Sequence, residues 1–214
     1  GSIRAVIEAI DDGVVSEPEE VTRYLAIARR EVDHLDRMVG DLLDLARFDA
    51  GVVRLDLRPL PLQEIVAEVA DAMQVQAARA GIDLSVDVQG SPAPVPLDGP
   101  RVERALGNVL RNAIEHTPRG GRIVVEVVEA AGEGATVRVR DTGEGIREAD
   151  LPRIWERFYR ADPARPRADG GAGIGLAVVA AVVESHGGEV SARSRPGEGT
   201  EVALRFPMTS PAPR

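Results

Sequence analysis

A chain of 214 residues with 43% hydrophobic and 29% charged side chains can bury a core without staples. Its net charge of −9 repels nucleic-acid backbones and anionic membrane surfaces, and 3% aromatic content leaves little for base-stacking modules. All 26 cations are Arg, so P-loop NTPases, Ser/Thr/Tyr-type protein kinases and Schiff-base enzymes, which need a Lys, are excluded, as are thiolate nucleophiles and Cys-ligated metals.

The sequence opens on Gly1-Ser2 rather than Met, which reads as a cloning remnant, so further residues are expected upstream. A short apolar series, Ile3, Ile7, Ile10 and Val14, breaks at Asp11-Asp12-Gly13 and predicts the shortened first arm of a helical hairpin. From Val21 the apolar positions continue as Leu25, Ala28, Val32, Leu35, Val39, Leu42 and Ala46, alternating steps of four and three. This is a coiled-coil-like helix, predicted to start at a capping box, Ser16 with Glu19, with Pro18 in its first turn, and to stop at Gly51. Its narrow apolar stripe calls for burial against other helices, most simply in a dimeric bundle, or against the chain's own domain.

After Gly51 the period changes. A strand is predicted over Val53 to Leu57, a helix over Pro61 to Ala80 ended by Gly81, and a strand over Ile82 to Val88. Gly90 to Pro100 reads as loop and Arg101 to His116 as a helix with Val102, Leu106, Val109 and Leu110 inward. Strands follow over Arg122 to Val128 and Ala135 to Arg140. A mobile loop spans Ala161 to Gly171, an apolar helix covers Ile174 to His186, and a closing hairpin joins Glu189 to Arg193 with Thr200 to Arg205. The longest apolar run, Leu176 to Val183, falls well short of the ~18 residues of a membrane span.

Four short motifs carry chemistry. Asn108 and Asn112, at i and i+4, share one helix face where carboxamide oxygens suit a hard cation and amides a phosphate, though such pairs also occur as plain polar surface. Asp141-Thr142-Gly143-Glu144-Gly145-Ile146 places a carboxylate at a strand end beside glycines that admit a ligand; a tight turn with a solvated Asp reads the same way. Gly171-Ala172-Gly173-Ile174-Gly175-Leu176 opens a helix whose exposed N–H groups favour phosphate, or whose glycines serve close packing alone. It is not a dinucleotide fingerprint, because the spacing is G-x-G-x-G and no acidic residue stands about 20 positions on. Gly197-Glu198-Gly199-Thr200 is a hairpin turn or a ligand contact.

Their order and spacing resemble the catalytic and ATP-binding part of bacterial sensor histidine kinases, in the GHKL ATPase superfamily with gyrase and the heat-shock chaperone ATPases. The N-box is matched from Asn108 through Asn112 to Pro118, the G1 box from Asp141 to Ile146, and the F-box by Trp155, Phe158 and Arg160. The G2 box is matched by Gly171, Gly173, Gly175 and Leu176, and the last G box by Gly197, Gly199 and Thr200. The heptad helix ending Asp41-Leu-Leu-Asp-Leu-Ala-Arg47 is similar to the second helix of the family's dimerisation and histidine-phosphotransfer hairpin.

The resemblance implies an α+β protein, with a truncated helical hairpin at 1–51, a Bergerat-type sandwich of mixed sheet and about three helices at 52–208, and a flexible tail at 209–214. It implies that MgATP gives its γ-phosphoryl to a His on an absent upstream helix and thence to an Asp of a response regulator; the alternative is a non-catalytic ATP-sensing or interaction module. It further implies a homodimer through the hairpin, and a cytoplasmic domain of an inner-membrane sensor. Asp141 would accept a hydrogen bond from the adenine amine, which guanine cannot offer at that position. Asn112 would hold Mg²⁺ and Asn108 add a polar contact. Gly171, Gly173 and Gly175 would open backbone N–H groups to phosphate, with Arg160 at the γ-phosphate as a second catalytic group. Gly143, Gly145, Ile146, Leu176, Thr200 and His116 would line the nucleotide pocket. The segment 161–170 would be the ATP lid, with Arg165 and Arg167 in it.

Two departures stand out. Glu115 occupies a position where the family usually has Lys or Arg, and its charge opposes phosphate. The family's acceptor box does not occur, and the first histidine is His34, which the heptad register turns outward as a surface residue. The chain is therefore expected to bind ATP without labelling itself.

Overall fold

The computed structural model describes residues 3–89, 93–130, 133–161 and 173–209. Two helices, α1 (Ile3–Asp11) and α2 (Pro18–Asp49), form an antiparallel hairpin. The remaining elements are β1 (Arg58–Leu60), α3 (Leu62–Ala80), β2 (Asp83–Gln89), β3 (Val95–Leu97), α4 (Gly99–His116), β4 (Arg122–Ala130), β5 (Gly134–Asp141), α5 (Gly175–Ser185), β6 (Glu189–Arg195) and β7 (Gly199–Pro207), with one 3₁₀ turn at Leu151–Arg153.

Five strands make one sheet in the order β2-β4-β5-β7-β6, in which only β2 and β4 run parallel. The alternation of β5 and β7 decides which face is covered. Ala135, Val137 and Val139 point inward with Val202, Leu204 and Phe206, while Arg138, Arg140 and Glu201 look the other way. On the inner face lie α3, α4 and α5, whose apolar sides (Leu62, Val66, Leu106, Leu110, Val178, Val179 and Val183) are buried to 2% exposure or less. On the open face Arg140 bridges Glu126 at 2.9 Å and Glu201 at 2.5 Å, a solvated ladder across three strands. The fold class matches the expectation: helices on one side of a mixed sheet.

A buried histidine ties the layers together. His186, 1% exposed, closes α5 and accepts the Asp98 N–H at its Nε2 (3.0 Å), while its Nδ1 lies 2.7 Å from the Val182 carbonyl. The ring therefore carries its proton on Nδ1, and its edge meets Phe206 at 5.7 Å between ring centres. Asp98 in turn caps α4 through Arg101 N–H and takes the Asp56 N–H at 3.2 Å.

Several local expectations are corrected. The N-cap of α2 is Glu17, without a side-chain cap bond, so Ser16 makes no capping box although Pro18 does open the helix. In α1 the buried position is Val6, while Ile7, and Val14 in the turn that follows, face solvent at 49% and 77% exposure. Residues 53–57 form no strand. Their alternation is real, with Val53, Leu55 and Leu57 half-buried, but the segment is an extended linker without a ladder partner, and the strand is Arg58–Leu60 beside β3. The loop predicted over 90–100 contains β3 and the first turn of α4. The hairpin turn near 132, the loop over 161–171 and the tail from 210 fall largely outside the described residues.

The two sides of α2 have different surroundings. Leu45, Met38 and Phe48 pack into the core of the sheet domain, whereas Leu25, Val32, Leu35, Val39 and Leu42 are 40–55% exposed on the opposite side of α2.

Candidate functional site

A cavity of ≈ 730 Å³ opens between α4, the ends of β5 and β7, the start of α5 and the flank of α2. Asp141 ends β5 opposite Thr200 in the β5–β7 register, and this pairing fixes its carboxylate. Oδ1 accepts the Gly143 N–H at 2.8 Å and the Thr200 N–H at 3.1 Å. Burial pushes the carboxyl above its ordinary range, against the two N–H donors and nearby His116, which pull it down. A desolvated, firmly aimed acceptor of this kind suits a directional hydrogen bond from a ligand amine.

Around it Thr200, Ser194 and Ile146 form a short polar chain. Ser194 Oγ accepts the Ile146 N–H at 2.7 Å and lies 2.9 Å from Thr200 Oγ1. Gly145 has φ +71°, and a Cβ there would sit 2.0 Å from the Arg195 carbonyl, so only glycine lets the G1 turn lie against the last hairpin. Gly197 N–H closes that contact on Glu144 O at 2.7 Å. Glu144 also meets His116 Nδ1 at 2.7 Å, on the rim.

On the second wall, α4 presents Asn108, Arg111, Asn112 and Glu115 to the cavity. Asn108 is fully engaged: its Nδ2 donates to the Gly175 carbonyl at 3.2 Å and its Oδ1 accepts from Arg111 Nη2. It fastens α4 to the start of α5, which leaves Asn112 as the carboxamide presented to a ligand. Gly173, at φ +70°, would place a Cβ 2.6 Å from Tyr159 O, so the backbone can pass here only as glycine. Gly175 is different, since a Cβ would meet Asn108 at an ordinary 3.6 Å.

The F-box segment delivers Arg160 to the same cavity. Tyr159 before it is anchored by its hydroxyl donating to Asp150 at 2.6 Å, with Arg153 4.2 Å above its ring. This bond and the one from Arg147 hold the Asp150 carboxyl below the usual range.

Of the residues expected in the site, Asn108, Asn112, His116, Asp141, Gly145, Ile146, Arg160, Gly173, Gly175, Leu176 and Thr200 all border this one cavity. Gly143 is not on its wall; its N–H is spent holding Asp141. Gly171, Arg165, Arg167 and the rest of the expected lid lie outside the described residues. The outward reading of His34 is overturned. It is half-buried and borders the cavity with Arg37, Met38 and Asp41, because α2 packs its polar flank, not its heptad stripe, against the sheet domain. Ser194, Asp150 and Arg111 were also missed. Arg111 sits between the two asparagines but carries no motif of its own, and Ser194 is one alternating residue in a strand.

The fold and site define a crevice walled half by the edge of a mixed sheet and half by helices. A family model described as histidine kinase-, DNA gyrase B- and HSP90-like ATPase matches residues 97–210, and one described as the His Kinase A (phospho-acceptor) domain matches residues 1–51. The chain belongs to the first of these families and, in this domain order, corresponds to the catalytic region of a bacterial sensor histidine kinase. It is 38% identical over 196 residues to Sensor protein IrlS of Burkholderia pseudomallei, covering 90% of this chain and 41% of that protein. It thus spans about two fifths of that relative's length. Full-length ShkA, solved in complex with AMPPNP, matches with TM-score 0.76 and 29% identity over 92% of this chain and 40% of that one. The histidine kinase ThkA, solved with the response regulator protein TrrA, shares the fold at TM-score 0.72 and 22% identity, over 97% of this chain and 59% of that one.

Proposed function

We propose that this chain binds MgATP in the cavity around Asp141 and supplies the catalytic half of a protein-histidine kinase, whose γ-phosphoryl passes to a His and then to a response-regulator Asp. The observation that carries this reading is the meeting of Asp141, Asn112, Arg160 and the glycine-opened start of α5 around one cavity of nucleotide size. Asp141 would take the adenine amine, and Gly145, Ile146, Leu176, Thr200 and His116 would frame the base. Gly173 and Gly175 would open the backbone to phosphate, and Arg160 would neutralise the transferring group.

The donor set suits Mg²⁺ bound mostly through substrate. Among the described residues no cluster of three His, Cys, Asp or Glu could hold a metal, and Asn108 is already bonded on both sides, so Asn112 offers one oxygen. Mg²⁺ retains waters and takes phosphate oxygens alongside one or two protein ligands, which matches that provision. The ion would neutralise phosphate charge; the chain's own groups orient the nucleotide.

We place the helical hairpin at 1–51, the ATP-binding domain at 52–208 and the tail at 209–214. The exposed stripe Leu25, Val32, Leu35, Val39 and Leu42 supports a homodimer through α2. The sharing of fold with a kinase solved with its response regulator supports that partner class. No described helix is long and apolar enough to cross a membrane; we read the chain as the cytoplasmic part of a membrane-anchored sensor.

Titration of MgATP against the wild type, Asp141→Ala and Asn112→Ala tests the reading. Binding by the wild type that drops at least tenfold in both variants supports it. A wild type that fails to bind favours the second reading, a degenerate interaction module, for which Glu115 on the cavity wall is the specific support.

A further inference from the structure

We propose that Arg37 of α2 and Arg111 of α4 form a two-guanidinium clamp for the nucleotide's phosphates, replacing the cation that Glu115 displaces and making tight ATP binding depend on α2 being docked. The inference deepens the ATP reading and rests on it.

Both residues border the cavity, from opposite elements. Neither has a carboxylate oxygen within 4 Å among the described residues. Neighbouring arginines of the same contact are different: Arg101, Arg104, Arg147 and Arg157 all hold ion pairs. Two acids of α2 are occupied by another cation. Asp41 accepts Arg104 Nη2 at 2.8 Å and Nε at 3.2 Å, and Asp44 accepts Arg104 Nη1. Arg111 spends one N–H on Asn108 Oδ1 and keeps the rest of its donor fork.

Two like charges facing each other across a partly desolvated wall repel, and an anion between them removes the repulsion. Burial and the Arg37 charge both hold Arg111 below its ordinary range, in keeping with this arrangement. Glu115 stands one helical turn beyond Arg111, and its charge acts on Arg111 in the opposite sense to Arg37.

Arg37 is present only because α2 lies against the sheet domain. Besides Leu45 in the core, the contact is made by Arg104 on Asp41 and Asp44, by Arg157 on Asp49, and by Arg101 stacked 5.4 Å from the Phe48 ring. If docking raises phosphate affinity through Arg37, bound ATP must raise docking by the same factor. The hairpin then senses the nucleotide through a single side chain.

The test is titration calorimetry of MgATP and of adenosine with the wild type, Arg37→Gln, Arg104→Gln and the double variant. Arg37→Gln is expected to weaken MgATP about tenfold, the size of one charge-assisted contact, with adenosine changed less than about twofold. Arg104→Gln is expected to lose a comparable factor, and the double variant no more than the larger single loss, because both act through Arg37. Glu115→Arg is expected to restore MgATP affinity in the Arg37→Gln background. Unchanged MgATP affinity in Arg37→Gln, an equal loss on adenosine, or additive losses with Arg104→Gln overturns the clamp while leaving the ATP reading intact. A wild type that binds neither ligand overturns both.

Discussion

Asp141 shows how much one residue's surroundings decide. Its carboxyl is aimed by two backbone N–H groups that belong to different segments, Gly143 on the turn and Thr200 on the last strand. Because burial raises its pKa above the ordinary 3.8, the folded protein holds that proton more tightly than the unfolded chain. Its contribution to stability therefore declines as pH rises from 3.8 through the folded value, while recognition of an amine needs the ionised form. ATP affinity is accordingly expected to fall on acidification at a pH above 3.8. Asp141→Asn, which cannot titrate, is expected to bind about tenfold more weakly at neutral pH and without that acid limb, as fluorescence titration across pH would record. The type and position of Asp141 were readable from the strand that precedes it and the glycines that follow. Its second donor was not, because nothing local to residue 141 states that residue 200 will lie opposite. Arg37 was illegible for the same reason: on a heptad wheel it is one more solvated cation.

At the scale of elements, alternation and helical period gave most of the sheet domain correctly, since inward Val, Leu and Ile at periods of 2 and 3.6 repeat clearly over α3, α4, β4, β5 and β7. The segment over 53–57 shows the limit of that signal. One-sided burial of an extended chain produces the same alternation as a ladder, and only a partner strand separates the two. The joint between α4 and α5 was equally hidden, because it depends on a histidine whose partners are backbone atoms. His186 is neutral in the core, and burial holds its pKa below the ordinary 6.5 despite the Val182 carbonyl and the Asp98 charge. The unfolded chain takes up this proton more readily, so the stability due to the neutral ring is complete above pH 6.5 and declines as pH falls below it. His186→Gln is expected to flatten that part of the pH–stability curve and to cost about 2–4 kcal/mol near neutrality, through the Asp98 N–H and the Phe206 contact. Chemical denaturation at several pH values measures both effects.

For the whole molecule, the decisive surface is α2, whose two sides have different occupants. One side is held on the sheet domain by Leu45, Met38 and Phe48 and by ion pairs, and the other leaves Leu25, Val32, Leu35, Val39, Leu42 and Leu43 in water. The heptad pattern disclosed the second side and said nothing of the first, because polar contacts such as Arg104 with Asp41 have no period. Lone side chains of this kind are normal, but a continuous stripe along a long helix marks an interface. Leu35→Glu with Val39→Glu is expected to convert a dimer to monomer in sedimentation equilibrium, with MgATP affinity per chain unchanged because neither residue borders the cavity. A monomeric wild type would remove the hairpin from the assembly.

The register that sets Thr200 beside Asp141 also fixes an order in time. The carboxylate's second donor arrives with β7, and the Gly145 turn rests on the Arg195 carbonyl, so a ribosome must release the C-terminal hairpin before the crevice is complete. During synthesis the growing chain can shape its helices and central strands, yet the pocket is unfinished until β6 and β7 have emerged.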